Sequence, residues 1–135
     1  MASELKVDKF TGVTTAGSIL VTSEGGSTTT NLQSGLTKMH CVVDQTSTQA
    51  ITDSVNLSSI SDGGTAKTTL TMTNAMSNTT YTISGSCEVT SSGHGAIHNE
   101  DVGGRTTTVF GVYILSNDGS ARDTVVMTVI HGDLA

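Results

Sequence analysis

The sequence has no proline, no tryptophan, and only two phenylalanine and two tyrosine residues among its 135 positions. Proteins that cleave sugars usually hold the sugar ring on aromatic side chains. This scarcity therefore argues against glycoside hydrolysis by the scattered carboxylates. No apolar run approaches the length that crosses a bilayer, so membrane insertion is not expected.

Positive charge is also scarce. Six Lys and Arg residues stand against twelve Asp and Glu, which gives a net charge of −6, and the basic residues are scattered along the chain. Nucleic acids and anionic membranes attract proteins through clustered basic residues, so neither is an expected partner. The opening Met1-Ala2-Ser3-Glu4 lacks the charged and apolar character of a signal sequence, and we expect synthesis in a cytoplasm.

Apolar residues make up only 35% of the chain, against a usual value of about 45–50% when glycine is counted. Burial of one valine contributes roughly 1.5–2 kcal/mol, and ordering each residue costs about as much. We therefore expect that one copy does not complete its own core. Copies would associate by burying strand faces, and we expect a homotrimer, although area alone does not separate two copies from three.

Cysteine is limited to Cys41 and Cys87. Both fall on apolar faces of predicted strands, where the expected role is that of a small buried hydrophobe. A disulfide requires Cα atoms within about 7 Å, and the sequence leaves that distance open.

What the sequence does contain is a series of short alternating segments of Thr, Ser, Val and Gly. Over residues 81–89 every second side chain lies on one apolar face, as in a half-buried strand. No stretch has the helical period, so helix content should be near zero. The length suits one domain, and the pattern predicts an all-β fold, an antiparallel β-sandwich or jelly-roll-like knob.

Six strands are predicted within residues 35–135, which form the knob domain. The side chains predicted to point inward from the first two strands, the second at residues 49–58, are Met39, Cys41, Val43, Ile51, Val55 and Leu57. The other strands are predicted near residues 70–72, 81–89, 106–115 and 124–130. The strand at 106–115 is apolar on both faces, which favours a central position or a subunit contact. Asn117-Asp118-Gly119 predicts a hairpin that joins it to the last strand.

Residues 1–34 are predicted to form a separate, extended N-terminal stem. Short strands are predicted at residues 5–10 and 18–22, and residues 27–31 have the polar composition of a linker. Two such strands cannot bury enough apolar surface to fold alone, so the stem is expected to serve as an anchor.

One segment gathers potential metal ligands. Residues 90–104 are polar and glycine-rich, are predicted to form a loop, and hold His94, His98, Glu100 and Asp101. Imidazole and carboxylate groups this close together can bind a divalent metal. The flanking glycines argue against the helix that would place both histidines on one face. A solvated loop is therefore favoured, and no metal or cofactor is expected.

Catalytic patterns are missing as well. No serine stands at a strand-to-helix turn, and no cysteine has a companion histidine with an orienting amide. His40 and Cys41 are neighbours in a predicted strand, so their side chains point to opposite faces. The sequence therefore predicts a protein that is not an enzyme.

Several patches of sequence carry a family resemblance. They are Leu5-Lys6-Val7-Asp8-Lys9 at the start, Gly35-Leu36-Thr37-Lys38, the segment 53–65 from Asp53-Ser54-Val55 to Gly63-Gly64-Thr65, the segment 73–81, and the terminal Val129-Ile130-His131-Gly132-Asp133-Leu134-Ala135. Their order resembles that of small virion proteins of marine bacteriophages, of the cyanophage and pelagiphage types, including tail-fibre proteins. The resemblance implies a non-enzymatic, β-rich, trimeric protein on the surface of a virion that is assembled in the cytoplasm of a bacterial host.

Together with the stem-plus-knob organisation, the resemblance predicts a short homotrimeric fibre or spike of the tail-fibre type, with a role in host attachment. The stem would join another virion protein of the capsid or tail, and the loops 44–48, 61–66 and 90–104 would face a bacterial surface receptor. The side chains expected at the particle are Leu5, Val7, Phe10, Ile19 and Val21, and those expected at the receptor are His94, His98, Asn99, Glu100 and Asp101.

Two alternatives stay open. The chain lacks a long shaft and a large anchoring domain, which fits a capsid decoration, head-fibre or cement protein as well as a tail fibre. The other alternative is a carbohydrate- or metal-dependent binding module unrelated to viruses.

Overall fold

In the part of the chain that the structure describes, ten strands and one helical turn form the regular elements. The computed structural model describes residues 5–12, 19–22, 26–88, 95–100, 104–116 and 118–134, and for residues 33–34 and 95–100 it describes the backbone alone. The elements are β1 (Leu20–Thr22), β2 (Thr29–Asn31), α1 (Leu32–Gly35), β3 (Thr37–Asp44), β4 (Ala50–Val55), β5 (Leu57–Asp62), β6 (Lys67–Met72), β7 (Thr82–Cys87), β8 (Gly95–Glu100), β9 (Val109–Ser116) and β10 (Val125–His131).

Eight of these strands form two four-stranded antiparallel sheets. The first sheet has the order β4-β3-β10-β7 and the second has the order β5-β6-β9-β8. Their inner faces share one core, to which the first sheet contributes Met39 and Ile130 and the second contributes Leu70 and Phe110. The all-β, antiparallel β-sandwich prediction is confirmed, as is the near absence of helix.

A single copy encloses this core by itself. The buried hydrophobic residues are Met39, Cys41, Val43, Ala66, Leu70, Met72, Met76, Tyr81, Phe110, Val112, Ile114, Val126 and Ile130. The expectation that one copy leaves its core incomplete is therefore wrong. Strand alternation concentrates the few apolar residues on the inner faces, and methionine adds volume that a count of Leu, Ile, Val and Phe leaves out.

Two strands behave as the alternation predicts. Met39, Cys41 and Val43 are buried on the inner side of β3. The predicted strand at 106–115 corresponds to β9, which lies between β6 and β8. A central strand is covered on both sides by its neighbours, which suits a segment that is apolar on both faces.

The predicted second strand, at residues 49–58, is wrong in two respects. It consists of two strands in different sheets, β4 and β5, and Ile51 and Val55 are exposed rather than inward. The break falls at Asn56, whose φ of 59° lies in the left-handed region that asparagine tolerates. Asn56 Oδ1 accepts a bond from the backbone N of Asn74 at 2.7 Å, and Nδ2 donates to the carbonyl of Lys38 at 3.0 Å. These bonds fix the corner at which the chain changes sheet.

The predicted hairpin at Asn117-Asp118-Gly119 is also wrong as a link between paired strands. A tight turn does occur there, with Gly119 at φ 79° and the Ser116 N donating to the Ser120 carbonyl at 2.9 Å. Beyond the turn, a single bridge joins Leu115 to Ala121, and the chain then crosses to the other sheet. Turn residues specify a reversal of direction, but they do not specify which strand the chain pairs with next.

The segment 90–104 is not a loop throughout. Residues 95–100 form β8, the edge strand that pairs with β9. Its glycine-rich, polar sequence has no clear alternation, so only the pairing with β9 identifies it. The predicted six strands of the knob are in fact eight, because β5 and β8 were missed.

The N-terminal segment also differs from prediction in part. Residues 5–12 form no strand, whereas the strand predicted at 18–22 is present as β1. The supposed linker at 27–31 contains β2, which pairs with β1 in a separate two-stranded sheet. In β1 and β2, threonine and valine supply the β-branched side chains that favour a pleated conformation.

Candidate functional site

The residues expected at a receptor or metal site are only partly described. His94 and Asp101 lie outside the described residues. His98, Asn99 and Glu100 stand on β8 at positions paired with Tyr113, Val112 and Gly111. Among the described residues, no group of three or more His, Cys, Asp or Glu side chains could hold a metal ion.

The loops 44–48 and 61–66 are ordered by their own side chains. Asp44 Oδ1 accepts a bond from the backbone N of Thr46 at 2.8 Å, and these bonds hold the pKa of the Asp44 carboxyl below its usual value. In the second loop Asp62 Oδ1 accepts from the backbone N of Gly64 at 2.8 Å and from Gln49 Nε2 at 2.9 Å. The carboxylates of both loops serve as turn acceptors in this structure.

One end of the sandwich contains a cluster of buried polar groups. Gln45 Nε2 donates to Thr68 Oγ1 at 2.8 Å, and Thr68 Oγ1 donates to Gln49 Oε1 at 2.6 Å. The backbone N of Gln45 donates to the carbonyl of Thr124 at 3.1 Å. Because these groups satisfy one another across the two sheets, the cluster joins the sheets and has a structural role.

The outer face of the first sheet, which is the side away from the core, carries two rows of side chains. In one row Val129 pairs with both His40 and Ser84, and His40 pairs with Val55. A second row runs across the sheet through Asp53, Val42, Met127 and Ser86. A shallow groove of about 520 Å³ lies over β3, β10 and β7, because the serines of β7 are shorter than the valine and methionine side chains beside them.

The polar groups of this outer face do not form a catalytic arrangement. His40 Nε2 lies 3.5 Å from Asp53 Oδ2. Val129 stands between His40 and Ser84, so the histidine and the serine are two strand spacings apart, roughly 9–10 Å. A histidine activates a serine only within hydrogen-bond reach, about 3 Å.

The two thiols are free and separate. Cys41 is on β3 and Cys87 is on β7, with β10 between them, so their Cα atoms are farther apart than the roughly 7 Å that a disulfide spans. Burial raises the pKa of the Cys41 thiol to about 11, an effect that contact with Thr128 partly offsets. A thiol that stays protonated at neutral pH is a poor nucleophile.

The side chains expected at the particle are exposed where they are described. Leu5 is 74% exposed, Val7 47%, Phe10 61% and Val21 51%. Ile19 is intermediate in exposure. The exposed large hydrophobic residues fall in two places only among those described: before β3, at Leu5, Val7, Phe10, Leu20, Val21 and Leu36, and on β4, at Ile51 and Val55.

Sequence reasoning missed the β4 part of this surface because it assigned Ile51 and Val55 to the core. The outer rows were missed too. A signal for them was present, since the pairs Val42-Val43 and Val125-Val126 place apolar side chains on both faces of their strands.

Comparisons with protein-family models, with curated proteins and with solved structures found no match for this chain. Among the described residues, no helix is long and apolar enough to cross a membrane.

Proposed function

We propose that the chain is a non-enzymatic structural protein of a bacteriophage virion, which projects from the particle as a short homotrimeric fibre or spike. The observation that carries the proposal is the distribution of exposed apolar side chains, which are confined to the N-terminal segment and β4. Contiguous exposed apolar surface on a folded domain marks a contact with another protein. The rest of the surface is rich in Ser and Thr, as suits a protein with no further partner there.

Residues 1–34 attach this protein to the capsid or tail in the proposal, and the opposite loops face a bacterial receptor. The exposed β1 supports the first part, because Leu20 is 58% and Val21 is 51% exposed on a hairpin that forms a sheet of its own. Such a hairpin can enter a groove of a neighbouring virion protein without disturbing the sandwich.

Deletion of residues 1–34 tests the attachment. We expect the remaining sandwich to melt cooperatively, because its core lies in residues 39–130, but to be missing from purified particles. A point variant, Val21→Ser, should reduce incorporation in competition with the unaltered protein, with Thr30→Ser on the paired strand as the matched control. Normal incorporation of the deletion variant would contradict the proposal.

Tail fibre and capsid decoration differ in copy number. A fibre of the tail is present in few copies per virion, whereas a decoration protein is present in tens to hundreds. Quantitative mass spectrometry of purified virions separates the two, and a chain missing from virions altogether would refute both.

A further inference from the structure

Two extended features of the chain expose apolar side chains, and neither covers the other within one copy. The first is residues 5–12, which we call the arm. The second is the open edge of β4, the outermost strand of the first sheet. Leu5, Val7 and Phe10 of the arm and Ile51 and Val55 of β4 are all exposed.

The open edge of β4 has few of the features that normally prevent strand addition. Natural edge strands are blunted by lysine, proline or a covering loop. β4 contains neither lysine nor proline, and five of its six residues are exposed, including Val55 at 54%. The opposite edge strand of the same sheet, β7, differs because it presents Thr, Ser and Gly and lies against β8.

The arm has the properties of the missing strand. Its eight residues form neither helix nor strand, so their backbone groups take part in no sheet of the copy to which they belong. Leu5 and Val7 stand two positions apart, which places them on one face of an extended chain. Lys9 carries a positive charge toward an edge whose only charged residue is Asp53, itself 72% exposed at its side chain.

We propose that the arm of one copy adds as a fifth strand to β4 of a neighbouring copy. Strand addition supplies backbone hydrogen bonds along the whole edge and buries the exposed side chains of both partners. The contact is head-to-tail, and a head-to-tail contact that closes on itself forms a ring. In a ring of three, three arms occupy three edges and none is left over.

The inference rests on the self-association part of the proposed function. It assigns Leu5, Val7 and Phe10 to a contact between copies and leaves the β1 hairpin, with Val21, for the particle.

Disulfide trapping of the full-length chain tests the contact. In a Cys87→Ser background, where the remaining Cys41 is buried, one preparation carries Val7→Cys and a second carries Ile51→Cys, Asp53→Cys or Val55→Cys in turn to cover the possible registers. The two preparations are mixed, refolded and oxidised, and the products are identified by mass spectrometry. The matched control replaces the β4 cysteine by Ser84→Cys on β7.

We expect a covalent pair of unlike copies for at least one β4 position and none for the β7 control. A chain carrying both cysteines that closes a disulfide only within itself would overturn the inference. A trimer without any arm-to-β4 disulfide would overturn it too and leave the proposed function standing. A chain that is a single copy at all concentrations would refute both.

A charge placed on the edge provides a second measurement. Val55→Lys introduces the blunting residue that β4 lacks, and the dissociation constant should rise about tenfold or more, since one buried apolar side chain is lost and an ammonium group is desolvated. Ser84→Lys on β7 should leave the dissociation constant within about twofold. Equal effects of the two variants, with both melting as the parent does, would contradict the inference.

Discussion

At position 128 the core of the sandwich holds a hydroxyl group without a hydrogen-bond partner. Thr128 is 1% exposed, and its Oγ1 makes no hydrogen bond. The Cys41 thiol on the paired strand is the nearest polar neighbour that affects it, and a thiol is a weak partner. A buried hydroxyl in this state costs roughly 1–3 kcal/mol of desolvation.

Thr128→Val should therefore raise the free energy of unfolding by about 1 kcal/mol, because valine has the same shape and no polar atom. Thr124→Val is the matched control, since the Thr124 hydroxyl donates to the carbonyl of Glu88 at 2.8 Å. That variant should lower stability by about 1 kcal/mol. Urea unfolding of both variants measures the difference, and a destabilised Thr128→Val would show that the hydroxyl has a bonding role.

The raised pKa of Cys41 gives the stability a dependence on alkaline pH. The pKa is about 11 in the folded chain against 9.0 for an unperturbed thiol. Between these values the unfolded state has lost the proton that the folded state retains, so stability falls as pH rises from about 9 to about 11. Two units of pKa correspond to about 2–3 kcal/mol.

Unfolding of the parent chain and of Cys41→Ala across pH 8 to 11 measures this effect. The alanine variant should be less stable at pH 8 and should show a shallower decline with pH. The pKa values of Cys87 and Tyr81 are also raised by burial, so some decline is expected to persist in both proteins. Parallel curves for the two proteins would contradict the assignment to Cys41.

At the scale of elements, the corner between β4 and β5 depends on one residue. Asn56 combines a left-handed backbone with side-chain bonds to the backbone of residues 38 and 74. Asn56→Gly keeps the backbone conformation and loses the bonds, whereas Asn56→Ala loses the bonds and adds the strain of a Cβ at positive φ.

We expect Asn56→Gly to lower the free energy of unfolding by about 1–2 kcal/mol and Asn56→Ala by about 1 kcal/mol more. Thermal and urea unfolding of the pair measures both quantities. If alanine were tolerated as well as glycine, the left-handed conformation would not be what holds the corner.

The elements also show what the sequence can predict. The inner positions of β3 and β9 follow from alternation alone, because burial on one face selects every second residue. The pairing of β9 with β8 and the change of sheet after Asp118-Gly119 could not be predicted, since both depend on contacts between distant residues. β4 illustrates the same limit: Ile51 and Val55 have the pattern of a core strand, and only its edge position leaves them exposed.

At the scale of the whole molecule, the low apolar content has a different consequence from the one that composition suggests. The core between the sheets is closed by Met39, Leu70, Phe110 and their neighbours within one copy. The apolar side chains that are left over stand on the arm, the β1 hairpin and β4. Association is therefore proposed to bury a surplus at the surface rather than to complete an unfinished interior.

Sedimentation equilibrium of the full-length chain, followed over a wide concentration range, tests this proposal most directly. The mass of one copy is 13.8 kDa, and we expect three times that mass at high concentration with a reversible decline on dilution. A mass of one copy at every concentration, from a protein that still melts cooperatively, would contradict it.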